Sequence, residues 1–226
     1  MSKIAFTPNA NGSGVFTLAS PNSNTNRTLT FPDVSGTVLT STVTGDLTLS
    51  DGADLITATA GTSNLRLGVN AGNSITSGGN YNVTVGDEAG TAITTGDRNV
   101  TIGFEAGTAI STGGSNIAIG YQALKTEDGH GLNVAIGEES LENLNAGADG
   151  YNVAVGASAG KNMTTGIQNT LIGAFSGDAL TDADLNVAVG YQALSADTKG
   201  SRNVAIGYSA LFSQNFTSST DSYNTA

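Results

Sequence analysis

One short motif recurs along this chain at a nearly constant interval, and this repeat constrains the fold more than any other feature. The segment NVAVGYQAL begins at Asn186, and the closely similar NVAIGYSAL begins at Asn203. The motif begins at Asn64, Asn82, Asn99, Asn116, Asn133, Asn152, Asn169, Asn186 and Asn203, so that successive differences in residue number are 18, 17, 17, 17, 19, 17, 17 and 17. Such a period is the signature of a repeat architecture in which each copy is one structural unit.

The residues after each asparagine predict a short β-strand. Two aliphatic columns lie two residues apart, as in Val187 and Val189, and their β-branched bias favours strand over helix. Because alternate residues of a strand share one face, we expect both columns to point into the repeat unit. The residue between them is mostly alanine, and we expect this small outer face to lie against another chain.

The rest of each copy predicts one coil of a parallel β-solenoid. Glycine follows the strand in every copy, which is typical of a tight corner at positive φ or of a close backbone approach. The remaining residues are too few for a crossover helix, so we expect a second short strand and a turn. The predicted fold class is therefore all-β, with about nine 17-residue coils stacked about 4.8 Å apart. A ladder of asparagine amides should follow the coil starts.

Composition argues against several classes of function. The formal net charge of −11 disfavours nucleic acid as a partner, because its phosphates require basic patches. The chain has no cysteine, which removes disulfides, thiolate metal sites and cysteine nucleophiles. The opening MSKIAFTPNANGSG has no apolar core of a signal peptide, and no long apolar run follows. We therefore expect synthesis in a host cytoplasm and no membrane insertion.

The chain divides into three segments by pattern. Residues 1–45 alternate short apolar runs with Pro, Asn and Gly, which predicts a small antiparallel β unit, and residues 46–63 are typical of a degenerate coil that caps the array. Residues 64–226 form the predicted repeat shaft. The final YNTA, from Tyr223, repeats the opening of YNVAVG at Tyr151, so we expect the natural chain to continue beyond Ala226.

Two resemblances cover nearly the whole chain. The NVAIG motifs with the trailing YQAL resemble the head repeats of trimeric autotransporter adhesins, which implies a left-handed β-roll in a homotrimer. The opening IAFTPNANGSGVFTLASPNSNTNRTLTFPDVSGTVLT looks like the N-terminal segment of tail-fibre and other virion structural proteins of tailed phages, marine ones especially. This second resemblance implies a location in the virion and attachment through residues 1–45 to tail, neck or portal-region proteins.

These expectations favour a structural virion fibre protein, a trimeric rod linking the particle to a distal part that recognises the host. The alternative is an adhesin whose exposed coil connectors bind a host surface glycan or protein. We predict no catalytic, cofactor or metal site, and no enzymatic activity.

Three groups of polar residues are the candidates for chemistry in this sequence. His130, the single histidine, would have to serve any Ser/His/Asp arrangement, but EDGHGLN favours an exposed turn.

Glu88 and Glu105 should stack about 5 Å apart, as the carboxylates of a retaining glycosidase do, yet identical positions are that close in any solenoid. A solvated acidic face is favoured there, with cation binding as an alternative. The acidic stretch DADLN, from Asp182, is too short for an EF-hand loop. Gln122 and Glu139 occupy the same position in their own copies as Glu88 and Glu105 do in theirs.

Aromatic residues share the position after the glycine in two adjacent pairs of copies, which predicts stacked rings. The favoured interpretation is a ladder that stabilises neighbouring coils, and the alternative is a strip that binds sugars. The residues are Phe104 with Tyr121, and Tyr191 with Tyr208.

Overall fold

The computed structural model describes residues 3–6, 16–19 and 60–226. The chain forms two compact units, Met1–Gly52 and Ala53–Ala226. In the first unit, strand β1 (Lys3–Phe6) pairs antiparallel with β2 (Phe16–Ala19). The rest of the predicted unit 1–45 and most of the predicted capping segment 46–63 lie outside the described residues.

The second unit is a parallel β-solenoid of nine coils, as the repeat predicted. One three-residue strand from each coil joins a nine-stranded parallel sheet, with each strand paired to the strands of the coils before and after it. The pairing has no offset, so that Val83 lies opposite Val100 and Val85 opposite Ile102. The strands are β3 (Leu65–Leu67), β4 (Val83–Val85), β5 (Val100–Ile102), β6 (Ile117–Ile119), β7 (Val134–Ile136), β8 (Val153–Val155), β9 (Thr170–Ile172), β10 (Val187–Val189) and β12 (Val204–Ile206).

The asparagine that opens each coil, numbered position 1 of that coil, forms the predicted ladder. Its side-chain Oδ1 accepts the backbone N–H of the next coil's asparagine, as between Asn82 and Asn99 at 2.9 Å. In six coils its Nδ2 also donates to a carbonyl at position 15 of its own coil, as from Asn99 to Gly113 at 2.8 Å. In these six coils the asparagine both closes its own coil and ties that coil to the next.

The glycine at position 5 combines a positive φ with a close backbone approach, the two features that the sequence indicated there. Gly86 has a φ of 123°, and a Cβ on it would lie 2.8 Å from the carbonyl oxygen of Gly103 in the next coil. A side chain there would force neighbouring backbones apart and break the stacking that the strands need.

The assignment of the two strand faces from the sequence was wrong. The middle strand residue points into the coil and is fully buried, as at Ala118, whereas the flanking valines and isoleucines are outside and half-buried or exposed. The interior is thin and already contains larger residues from positions 9 and 12, such as Leu124 and Ile110. Only small residues fit opposite them in most coils. The interior location expected for Ala123 and Leu124 is confirmed.

The predicted second strand is present in one place among the described residues. There β11 (Gly200–Ser201) pairs in parallel with β13 (Thr220–Asp221). Elsewhere the connectors stack through turns, as where the N–H of Gly90 donates to the carbonyl of Ala106 at 2.9 Å. The reason is local: the residues at positions 7 and 9 have positive φ, as at Glu105 (54°), so the backbone there is not extended.

We predict that enlarging the inner strand residue destabilises the solenoid. Ala135→Leu should lower the free energy of unfolding by about 1–3 kcal/mol, because the added carbons overpack a filled interior. Val134→Ile, on the outer face of the same strand, should cost less, because the same column already holds an isoleucine in the neighbouring coil at Ile117. Chemical denaturation of both variants measures this, and equal losses would contradict the assignment of the faces.

Candidate functional site

The sheet presents a mainly apolar surface to the outside of the solenoid. This surface, here called the strand face, consists of the outward residues at positions 2 and 4, the residue at position 6 and the residue before each asparagine. Its exposed charged residues are Asp87, Arg98, Glu138 and Arg202. Apart from Phe175 and Phe212, every exposed large hydrophobic residue in the described ranges lies on it. These residues are Leu67, Val69, Tyr81, Phe104, Tyr121, Leu132, Tyr151, Ile172, Leu185, Tyr191, Ile206, Tyr208 and Tyr223.

The strand face is large for a surface left in water. Nine coils at about 4.8 Å give it a length of about 40 Å. Apolar surfaces of this extent mark interaction sites, because folded monomers rarely expose them. The strand face is therefore the main candidate binding surface of this unit.

Aromatic rings form part of the strand face and stack along it, as the sequence predicted. Phe104 and Tyr121 have ring centroids 5.8 Å apart and an interplanar angle of 11°. Tyr191 and Tyr208 are 5.6 Å apart at 13°. Phe175 contacts Tyr191 edge-on at 6.0 Å. Each stacked pair joins two consecutive coils.

The glutamates at position 7 contact polar neighbours. Lys125 Nζ lies 2.6 Å from Glu105 Oε2, and its hydrogen bond lowers the pKa of that carboxyl. Gln122 Nε2 donates to the same oxygen at 2.6 Å, while Glu88 accepts from Asn70 Nδ2 at 2.8 Å. A retaining glycosidase needs one carboxyl whose pKa is raised so that it can act as an acid, and Glu105 is shifted in the opposite direction.

The other acidic residues considered from the sequence are also paired. Glu139 Oε2 lies 2.6 Å from Lys161 Nζ and accepts a hydrogen bond from Ser158. Asp182 Oδ2 accepts from Ser219 Oγ at 3.1 Å and lies 3.6 Å from Lys199 Nζ. Neither arrangement gathers the several oxygen ligands that calcium requires.

A buried carboxylate lies beside His130. Glu127, the first residue of the EDGHGLN segment, is fully buried. Its Oε1 accepts the backbone N–H of His130 at 3.2 Å, and its Oε2 accepts that of Ala146 at 3.2 Å. His130 is half-buried rather than exposed, with its Nδ1 3.5 Å from Glu127 Oε1. Ligand atoms of Glu127, Asp128 and His130 lie within 4.8 Å of one another, but both Glu127 oxygens already serve the backbone.

Asp197 is a second buried carboxylate, and it was not identified from the sequence. Its Oδ1 accepts the backbone N–H groups of Gly200 at 3.0 Å and Phe216 at 2.9 Å, and its Oδ2 accepts from Gln214 Nε2 at 2.6 Å. The signal was present in the alignment of the coils, because Glu127 and Asp197 occupy a column that is otherwise mostly aliphatic.

Comparisons of this chain with protein-family models, with curated proteins and with solved structures found no match. Within the described ranges, no helix has the length and apolarity needed to cross a membrane. The strand face and the geometry of the coils are therefore the features that bear on function.

Burial raises the pKa of Glu127, which predicts a pH dependence of stability. A group whose pKa is higher in the folded state favours folding most when it is protonated, and this contribution is lost as pH rises through the folded pKa. We therefore compare the free energy of unfolding of the wild-type chain with that of Glu127→Gln. The difference should shift in favour of the wild type as pH falls from 7 towards about 4.3, the ordinary pKa of glutamate. Urea denaturation of both proteins across this range measures the difference, and a flat or opposite trend would contradict the raised pKa.

Proposed function

We propose that this protein is a structural virion fibre whose solenoid is the shaft of a homotrimer. The observation that carries the proposal is the strand face, which concentrates the exposed large hydrophobic side chains of the solenoid on one side of the coils. Three copies around a common axis would remove this side from water and leave the polar connectors outside. A closed threefold arrangement would also avoid the open-ended growth of a heterologous contact.

The geometry of the strand face supports a second copy of the chain as its occupant. The outward columns at positions 2 and 4 repeat at every coil and are apolar apart from Thr170, so an identical parallel chain would meet matching apolar residues in these two columns. Half-buried positions such as Val100 and Ile117 would then become interior residues of the assembly. Only two exposed large hydrophobic residues of the described solenoid, Phe175 and Phe212, lie elsewhere, which gives each chain one preferred side for contact.

The mechanical role depends on how the coils are joined. Each junction between coils is held by the strand ladder, by an asparagine bond such as Asn169 N–H to Asn152 Oδ1 at 3.0 Å, and by bonds between turns. These bonds act in parallel at each junction, so bending or stretching must break several at once. We infer that the shaft works as a stiff spacer, without chemistry of its own.

The resemblance of residues 1–45 to tail-fibre N-termini supports the other half of the proposal. In this interpretation that segment attaches the rod to tail, neck or portal-region proteins, and a distal part meets the host.

The second candidate function is an adhesin whose connectors bind a host glycan or protein. It is favoured by Phe212, an aromatic residue on a connector outside the strand face that is 43% exposed. A glycan array on the purified chain would separate a spacer from an adhesin.

Light scattering on the purified chain tests the trimer. We expect three times the 22.5 kDa monomer mass. Ile119→Asp should dissociate the assembly, because a carboxylate on the strand face would be buried between chains without a partner. Asn162→Asp, on an exposed connector, is the matched control and should leave the mass unchanged. A wild-type chain that remains a folded monomer would exclude the proposed assembly.

Deletion of residues 1–45 tests the attachment role. The truncated chain should still form a folded trimer, because the repeats and the strand face lie outside the deleted segment. It should no longer be incorporated into virus particles, as measured by the protein content of purified particles. Normal incorporation would show that this segment is not the attachment region, whatever the oligomeric state.

A further inference from the structure

One interior column of the solenoid changes chemistry at two coils. Position 12 is buried and apolar in six coils, and the same position is a buried carboxylate at Glu127 and Asp197. A carboxylate in an apolar column is costly unless hydrogen bonds compensate for its lost hydration. The six apolar residues are Ile75, Ile93, Ile110, Leu144, Met163 and Leu180.

The two exceptions coincide with changes in coil length. The coil after Glu127 runs from Asn133 to the next asparagine at Asn152 and has 19 residues. The coil after Asp197 begins at Asn203, and its successor begins at Asn224, 21 residues later, where the N–H of Asn224 donates to Asn203 Oδ1. After each of the six apolar residues the next coil has 17 residues.

Both carboxylates make the same pair of backbone hydrogen bonds. Each accepts the N–H at position 15 of its own coil, from His130 or Gly200. Each also accepts the N–H at position 14 of the following, longer coil, from Ala146 or Phe216. Two sites in well-separated coils therefore solve the same structural problem in the same way.

In two coils that precede a coil of regular length, a backbone carbonyl of that next coil accepts the N–H at position 15 instead, as where Gly96 donates to Ser111 at 3.2 Å. The N–H groups of Thr164, Thr165 and Gly166 all point at the carbonyl of Thr181, at position 13 of the next coil, with distances of 2.8, 3.2 and 3.4 Å. Extra residues in the next coil begin at this point of the connector and alter the path of the backbone. At His130 the acceptor is the Glu127 carboxylate rather than a carbonyl of the coil that follows.

We propose that Glu127 and Asp197 are positioning residues that allow the following coil to carry an insertion without interrupting the stack. Each carboxylate replaces the missing carbonyl acceptor from inside the coil, since an aliphatic residue there would leave buried N–H groups unpaired. The inserted segments 145–149 and 213–222 are largely exposed and lie outside the strand face. They are thus the places where this rod displays additional surface while its core stays regular. This inference does not depend on the oligomeric state.

A double-variant cycle at Glu127 tests the proposal. The first variant is Glu127→Leu, the second deletes Gly147 and Ala148 to give a coil of the regular length, and the third combines both changes. Each single change should lower the melting temperature by roughly 5 °C or more, because it leaves either unpaired N–H groups or an uncompensated carboxylate. The combined variant should melt close to the wild type, because it has the leucine and the coil length of a regular repeat.

Two controls keep the outcome decisive. Ile93→Glu places a carboxylate in the same column before a coil of regular length, and it should lower the melting temperature without a compensating bond. Losses that simply add in the combined variant, or no loss in Glu127→Leu, would overturn the proposal. If Glu127→Leu does not fold, amide hydrogen exchange in Glu127→Gln replaces it as the test. A glutamine side chain has one acceptor oxygen where the carboxylate has two. The backbone N–H of His130 or that of Ala146 should therefore exchange faster than in the wild type. Unchanged exchange at both would also overturn it.

Discussion

The structure depends on one constraint, which is that each coil must satisfy the backbone hydrogen bonds of the next. The three-residue strands pair without offset, and the asparagine at position 1 extends the pairing by accepting an N–H from the following asparagine. The glycine at position 5 lets the backbones approach closely enough for this pairing. Since a buried unpaired N–H costs about 1–3 kcal/mol, a repeat that misplaces these groups cannot be added to the stack.

The thin interior explains why the binding surface lies outside the coil. A regular coil encloses residues from positions 3, 8, 9 and 12, and where position 9 is leucine the strand contributes only alanine, as Leu141 and Ala135 show. The larger β-branched residues of the strand are therefore outside, where they form the strand face with the stacked aromatic rings. The same limit on volume that shapes the core creates the surface through which we propose the chains assemble.

The constraint also explains where the repeat is allowed to vary. Insertions occur in connectors, and the altered backbone is compensated by a carboxylate within the coil rather than by a change in the strands. Glu127 pairs with N–H groups instead of a lysine or arginine, so its burial raises its pKa, whereas the lysine partner of the half-buried Glu105 lowers the pKa of that carboxyl. Acidic residues of this chain thus serve two different purposes that their identity alone does not distinguish.

The sequence by itself determined the number of coils, the strand positions, the glycine corners, the asparagine ladder and the stacked rings, because each of these repeats at a fixed period. It did not determine which strand face is inside, since a period of two is compatible with either orientation. Only the tertiary structure decided this, because the position-12 and position-9 residues fill the interior and leave room for Ala118 but not for Ile119. The roles of Glu127 and Asp197 also required the structure, because a carboxylate in a connector looks solvated until the backbone donors that surround it are known.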